Sequence, residues 1–157
     1  MRAFFLILLA AAIAGAGVTR AEEFPGPYFG EVIRVIDGDT FEATVSLWPT
    51  ITAKVSVRLK GFDAPELFRP KCEQERLQAT LAKGHLSDLL PEGQIVSLRN
   101  VAADSFSGRV VADVDREANV NGVSLQILMQ RRGAVIPWEP SEPDIDWCGE
   151  PIAPVRP

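Results

Sequence analysis

Three stretches in the first half of the chain alternate apolar and polar residues with the period of a strand, and they follow one another closely. "GEVIRVID" covers 30–37, "TFEATVSL" covers 40–47 and "ITAKVSVRLKG" covers 51–61. In the third, Val55, Val57 and Leu59 fall on one face, and Lys54, Ser56, Arg58 and Lys60 on the other. Such segments form a sheet that is buried on one side, and three in a row read as a meander. "GFDAPELFRPKC" is too punctuated for regular structure, and residues 73–90 then carry helical spacing at Leu77, Leu81 and Leu89, with Pro91 and Gly93 as the stop. "QIVSLRNV" (94–101) and "RVVADVD" (109–115) add two strands. Residues 121–133 read as a helix, with Asn121 near its start and Gly133 after it. Five strands with a helix after the third suit a small five-stranded Greek-key barrel of the OB type, and also another α+β arrangement.

The chain opens with Arg2, an uncharged and mostly apolar run over 3–18, and then Thr19-Arg20-Ala21. This is the pattern of a secretory signal peptide over residues 1–21, and the run is short for a membrane span. Residues 22–157 then form one domain with one core, ending in a proline-rich arm over about 137–157. Two cysteines in an exported chain point to a disulfide between Cys72 and Cys148. It would close a long loop, tie down the arm and contribute about 4 kcal/mol. The net charge of −5 becomes −7 without Arg2 and Arg20, which argues against a general nucleic-acid coat protein.

His85 is the single histidine and the two cysteines are expected to pair with each other, which argues against a zinc site built on several His or Cys ligands, and nothing marks a nucleophile elbow. Glycine-rich phosphate loops are absent. Carboxylates and arginines remain. "RVIDGDTFEATV" sets Asp37 and Asp39 around Gly38, with Thr40 after them. It reads first as a hairpin turn, the reading Asp-Gly between alternating runs favours, and alternatively as half of a metal site. "RLKGFDAPE" sets Arg58 five residues before Asp63 and Glu66 three after it. Oxygen ligands of this kind suit a hard cation such as Ca²⁺ or Mg²⁺, and Arg58 would meet an anion bidentately. "DSFSGRVVADV" places Arg109 at a strand start, as a second arm of a phosphate clamp. Each piece also has a structural reading: Arg58 solvated, "DAPE" a turn, Arg109 paired with Asp104 or Asp113.

Together, "VIDGDTFEATV", "VRLKGFDAPE", "SGRVVADV" and "VNGVSLQILMQRRGA" resemble the staphylococcal nuclease-like, or thermonuclease, family, in family order over roughly residues 30–136. The resemblance implies an OB barrel with about three helices. It implies Ca²⁺ bound by Asp39, Asp63 and the backbone carbonyl of Ala64, with Asp37 and Thr40 in support. It implies Glu66 as general base and Arg58 and Arg109 as the pair that neutralises the phosphate. The reaction implied is hydrolysis of DNA or RNA phosphodiesters to 3′-phosphate products by a secreted or periplasmic monomer, without a membrane partner once the leader is removed. The Cys72 and Trp147-Cys148 pair also resembles exported bacterial members.

The chain departs from the family pattern at "DSFSGR", where Phe106 stands in place of a tyrosine and its lysine neighbour, and at "VIPWEP", where Trp138 replaces base-stacking tyrosines. Phe106 lacks the hydroxyl that helps hold a phosphate in the family but stands at a substrate-contact position, and Trp138 is either a stacking surface for a base or a structural tryptophan. Two rival expectations remain: a non-catalytic binding or scaffold module on the same fold, and a role in surface-polysaccharide metabolism.

Overall fold

The computed structural model describes residues 22–106, 108–116 and 124–149. The expected leader over 1–21, the expected helix start at Asn121 and the end of the arm from 150 onward lie outside the described residues.

Eight strands and two helices are described. They are β1 (Glu23–Phe24), β2 (Tyr28–Val35), β3 (Thr40–Trp48), β4 (Ile51–Leu59), β5 (Phe62–Asp63), α1 (Glu73–Leu89), β6 (Ile95–Ala103), β7 (Arg109–Asp115), α2 (Leu125–Arg132) and β8 (Ile136–Pro137). β2, β3 and β4 form the antiparallel meander, β4 pairs in parallel with β7, and β7 returns antiparallel to β6. β6 pairs with β2, which closes a five-stranded barrel, and β1 extends β6 as a short edge. Closure removes the unpaired edges that an open sheet of this size would expose.

Alternation along each strand fills the barrel. Val32, Phe41, Ala43, Val45, Val57, Leu59, Val96, Leu98, Ala112 and Val114 are all buried in one core. Arg58, between the buried Val57 and Leu59, is therefore turned to the outside of the wall.

Three expectations need correction. Two helices are present among the described residues, against about three expected. Helix α1 has the expected extent and buries Leu89 as expected, but Leu77 and Leu81 are exposed and Ala79, Ala82 and Leu86 are inside instead. The reason is close approach, because α1 lies against the β2–β3 turn and only small side chains fit there. A Cβ at Gly38 would sit 2.6 Å from the Cβ of Ala82 and 2.8 Å from that of Ala64. Lastly, the "GFDAPE" stretch is not wholly irregular, since Phe62–Asp63 pairs with Ile136–Pro137 and anchors the start of the arm.

Candidate active site

The turn between β2 and β3 is closed by two amides, those of Ile36 and Asp37, donating to the carbonyl of Thr40. Asp37 orders it further, because its Oδ1 accepts from the amide of Asp39 at 3.1 Å. Gly38 lets α1 press on the turn from outside. The result is a buried Asp39 at the end of the barrel, with the hydroxyl of Thr40 donating to its Oδ1 at 2.7 Å.

Strand register brings Arg58 to the same place, since Thr40 faces Arg58 across β3 and β4. Its guanidinium bridges two carboxylates: Nη1 lies 2.9 Å from Asp39 Oδ2, and Nη2 lies 2.5 Å from Asp63 Oδ1. Burial pushes the Asp39 carboxyl up to about 7, the attraction of Arg58 acting against it and the nearby Asp37 and Asp63 acting with it.

The other arginine arrives at the start of β7. Arg109 Nε donates to Asp104 Oδ2 at 2.6 Å, and its guanidinium stacks over the ring of Phe106, 4.6 Å from the centroid. Burial would raise the Asp104 carboxyl, but donation from Arg109, the amide of Phe106 and Ser105 outweighs it and holds the group low. The pairing thus resolves to Asp104. The terminal nitrogens of Arg109 have no hydrogen-bond partner among the described residues.

Glu66 sits on the loop between β5 and α1. One of its oxygens, Oε1, accepts from the amides of Phe68 at 2.7 Å and Arg69 at 3.4 Å. Its other oxygen meets no donor among the described residues. The loop is fixed from below by Glu75, a buried carboxylate in the first turn of α1, which accepts from the amides of Glu66 at 3.3 Å and Lys71 at 2.5 Å. Cys72 caps α1 and is bonded to Cys148, so the disulfide is present as expected. Gln74 Nε2 donates to the carbonyl of Gly149, which holds the arm along the start of α1.

One cavity of about 390 Å³ collects these groups. Asp37, Asp39, Arg58, Asp63, Ala64, Glu66, Phe106 and Arg109 all line it. Thr40 stands behind Asp39. Trp138 is not in this cavity; it lines an adjoining one of about 470 Å³ that shares Arg58, Phe106 and Arg109. Its indole nitrogen donates to the carbonyl of Pro143 at 3.1 Å, so the ring is held by the arm. The wall also holds Arg69, Lys71, Glu75, Asp144, Ile145 and Trp147, which no sequence motif marks as site residues. Glu75 had a signal, an acid three residues after a helix N-cap. The arm residues had only the cysteine that tethers them.

The acceptors in this cavity are carboxylate oxygens, the donor type a hard divalent cation takes, and Asp39 and Asp63 are here bridged by Arg58. Among the described residues no three His, Cys, Asp or Glu side chains converge as a ready metal cage. The cavity instead offers Asp39 and Asp63, with Ala64 between β5 and Glu66, and a cation there would draw further oxygens from water. The wall carries six carboxylates (Asp37, Asp39, Asp63, Glu66, Glu75, Asp144) against four cations (Arg58, Arg69, Lys71, Arg109), so the cavity is acidic on balance. Among the described residues no helix is long and apolar enough to cross a membrane. No protein-family model matches the chain, and a search of curated proteins returns no significant match.

Proposed function

We propose that this chain is an exported, Ca²⁺-dependent phosphodiesterase acting on DNA or RNA, of the staphylococcal nuclease-like kind, in an OB-type barrel. The observation that carries the reading is the convergence of Asp39, Arg58, Asp63, Glu66 and Arg109, from separate segments of the chain, on one cavity. The closed five-stranded barrel with α1 between β5 and β6 is compatible with the OB topology. The disulfide is compatible with export.

In this reading Asp39, Asp63 and the Ala64 carbonyl would hold the cation, which would supply positive charge next to the reacting phosphate. Glu66 keeps one oxygen engaged by loop amides and turns the other to an attacking water, whose proton it accepts. The water oxygen bonds to phosphorus and the bond to the 5′-oxygen breaks, leaving a 3′-phosphate and, after protonation from solvent, a 5′-hydroxyl. Arg58 and Arg109 offset the charge that builds on the phosphoryl oxygens. Arg58 is pre-oriented by two carboxylates, and Arg109 by Asp104 and the Phe106 ring.

The test is turnover of single-stranded DNA and of RNA with calcium, then with a chelator, beside a Glu66→Gln control. The proposal expects cleavage that needs calcium and drops at least a hundredfold in the control. Cleavage no faster than the control's leaves the binding-module reading in possession.

A further inference from the structure

Arg58 and Arg109 each face carboxylates, so little of their charge is free to draw a polyanion toward the cavity. Two other cations line the same cavity, Arg69 and Lys71, and both side chains are solvent-exposed. Neither is in an ion pair or a side-chain hydrogen bond among the described residues. The segment that carries them is held at both ends. Glu66 takes the amides of Phe68 and Arg69, the buried Glu75 takes that of Lys71, and the Cys72–Cys148 disulfide follows at once. Two cations without side-chain partners among the described residues are thus presented on a fixed loop directly beside Glu66. Across the cavity, the 104–109 turn offers Phe106 and the paired Arg109 and no further cation.

We propose that Arg69 and Lys71 form a subsite for a second phosphodiester of the same strand, next to the one that is cleaved. The inference rests on the proposed nucleic-acid substrate. It makes the site selective for strands with a flanking phosphate over a minimal diester that has none. Loop 66–71 is then the electrostatic entry to an otherwise acidic cavity, with side chains that are free to adapt on a backbone that is not.

The experiment compares the full chain with an Arg69→Gln/Lys71→Gln double variant and a charge-preserving Arg69→Lys/Lys71→Arg variant. Two readouts are taken: the ratio of kcat/KM for a single-stranded octanucleotide over that for a nucleoside 5′-(4-nitrophenyl phosphate), and anisotropy binding of the labelled octanucleotide over a salt series in the Glu66→Gln background. The double variant is expected to lower the kcat/KM ratio about tenfold or more, and to flatten the slope of log K against log salt by about 0.7 for each phosphate no longer neutralised. The charge-preserving variant is expected to retain most of both. Hydrolysis with an unchanged ratio and slope overturns the subsite while leaving the nuclease reading intact. Oligonucleotide binding that weakens in the double variant without any hydrolysis supports the subsite and overturns the catalytic reading. No binding of the octanucleotide overturns both.

Discussion

Substituting Ala for Gly38 puts a methyl group into the contact that aims Asp39. The new Cβ would lie 2.6 Å from the Ala82 Cβ and 2.8 Å from the Ala64 Cβ, against about 3.5–4.0 Å for carbons in ordinary contact. Roughly 1 Å of separation has to be found. Ala82 is fully buried in α1, and Ala64 is fixed before the buried Pro65, so neither neighbour is the far end of a flexible side chain. Overpacking of this kind costs about 1–3 kcal/mol, offset by up to about 1 kcal/mol from the stiffer unfolded chain. A net loss of about 1–2 kcal/mol lowers Tm by about 4–8 °C in a domain of this size. Gly84→Ala is the matched control, because it lies in the same helix with nothing within 4 Å of a new Cβ. It is expected to stabilise by about 0.5–1 kcal/mol. Thermal and urea unfolding of the two variants should therefore move in opposite directions. Gly38→Ala as stable as the parent would refute the claim that α1 is packed down on the 36–40 turn.

In chelated buffer, Asp39 should make stability fall as pH rises. Its folded pKa, near 7, is above the unfolded value near 3.8, so its contribution is complete below about 4 and lost through about 7. The loss is on the order of a few kcal/mol. Urea midpoints at pH 5 and 8 should separate the parent from Asp39→Asn, whose pH dependence lacks this fall, and added calcium should reduce the separation. A parent protein whose stability changes between pH 5 and 8 no more than that of Asp39→Asn would count against the buried carboxylate. Glu75→Ala strips the acceptor from the Glu66 and Lys71 amides and should cost about 2–4 kcal/mol by denaturant unfolding, with new protease cleavage between 66 and 71. Cys72→Ser/Cys148→Ser opens a cross-link spanning 76 residues and should lose about 2–4 kcal/mol. It should also uncover the arm's side of the cavity, read as faster amide exchange at 144–149.

The five barrel strands were legible because each buries one face, and a period of two survives almost any tertiary context. Their pairing was less so. The parallel contact of β4 with β7 joins segments about 50 residues apart, and alternation does not encode a partner. Helix α1 shows the opposite failure: its limits are plain and Leu89 is buried, yet Leu77 and Leu81 point to the wrong face, because where the helix meets Gly38 the buried residue is the small Ala82. At the site, the short motifs carried Asp39, Arg58, Asp63, Glu66 and Arg109 because each sits at a strand end or turn. Glu75, Arg69 and Lys71 carry no such motif: in sequence they are charges before and within a helix, like any on a solvated face. Asp144 and Trp147 are brought to the cavity by contacts distant in sequence, the β5–β8 pairing, the Gln74–Gly149 hydrogen bond and the Cys72–Cys148 link, none of which the residues around them announce.

The central claim is that this cavity hydrolyses phosphodiesters with Glu66 taking the proton of water. It is tested most directly by cutting a single-stranded oligonucleotide in ¹⁸O-water with calcium, and reading the product ends by mass spectrometry. The account predicts 5′-hydroxyl fragments and 3′-phosphates that carry one ¹⁸O each, all lost with chelator or with Glu66→Gln. Intact oligonucleotide, label on a 5′-phosphate, or cutting indifferent to Glu66→Gln would contradict it.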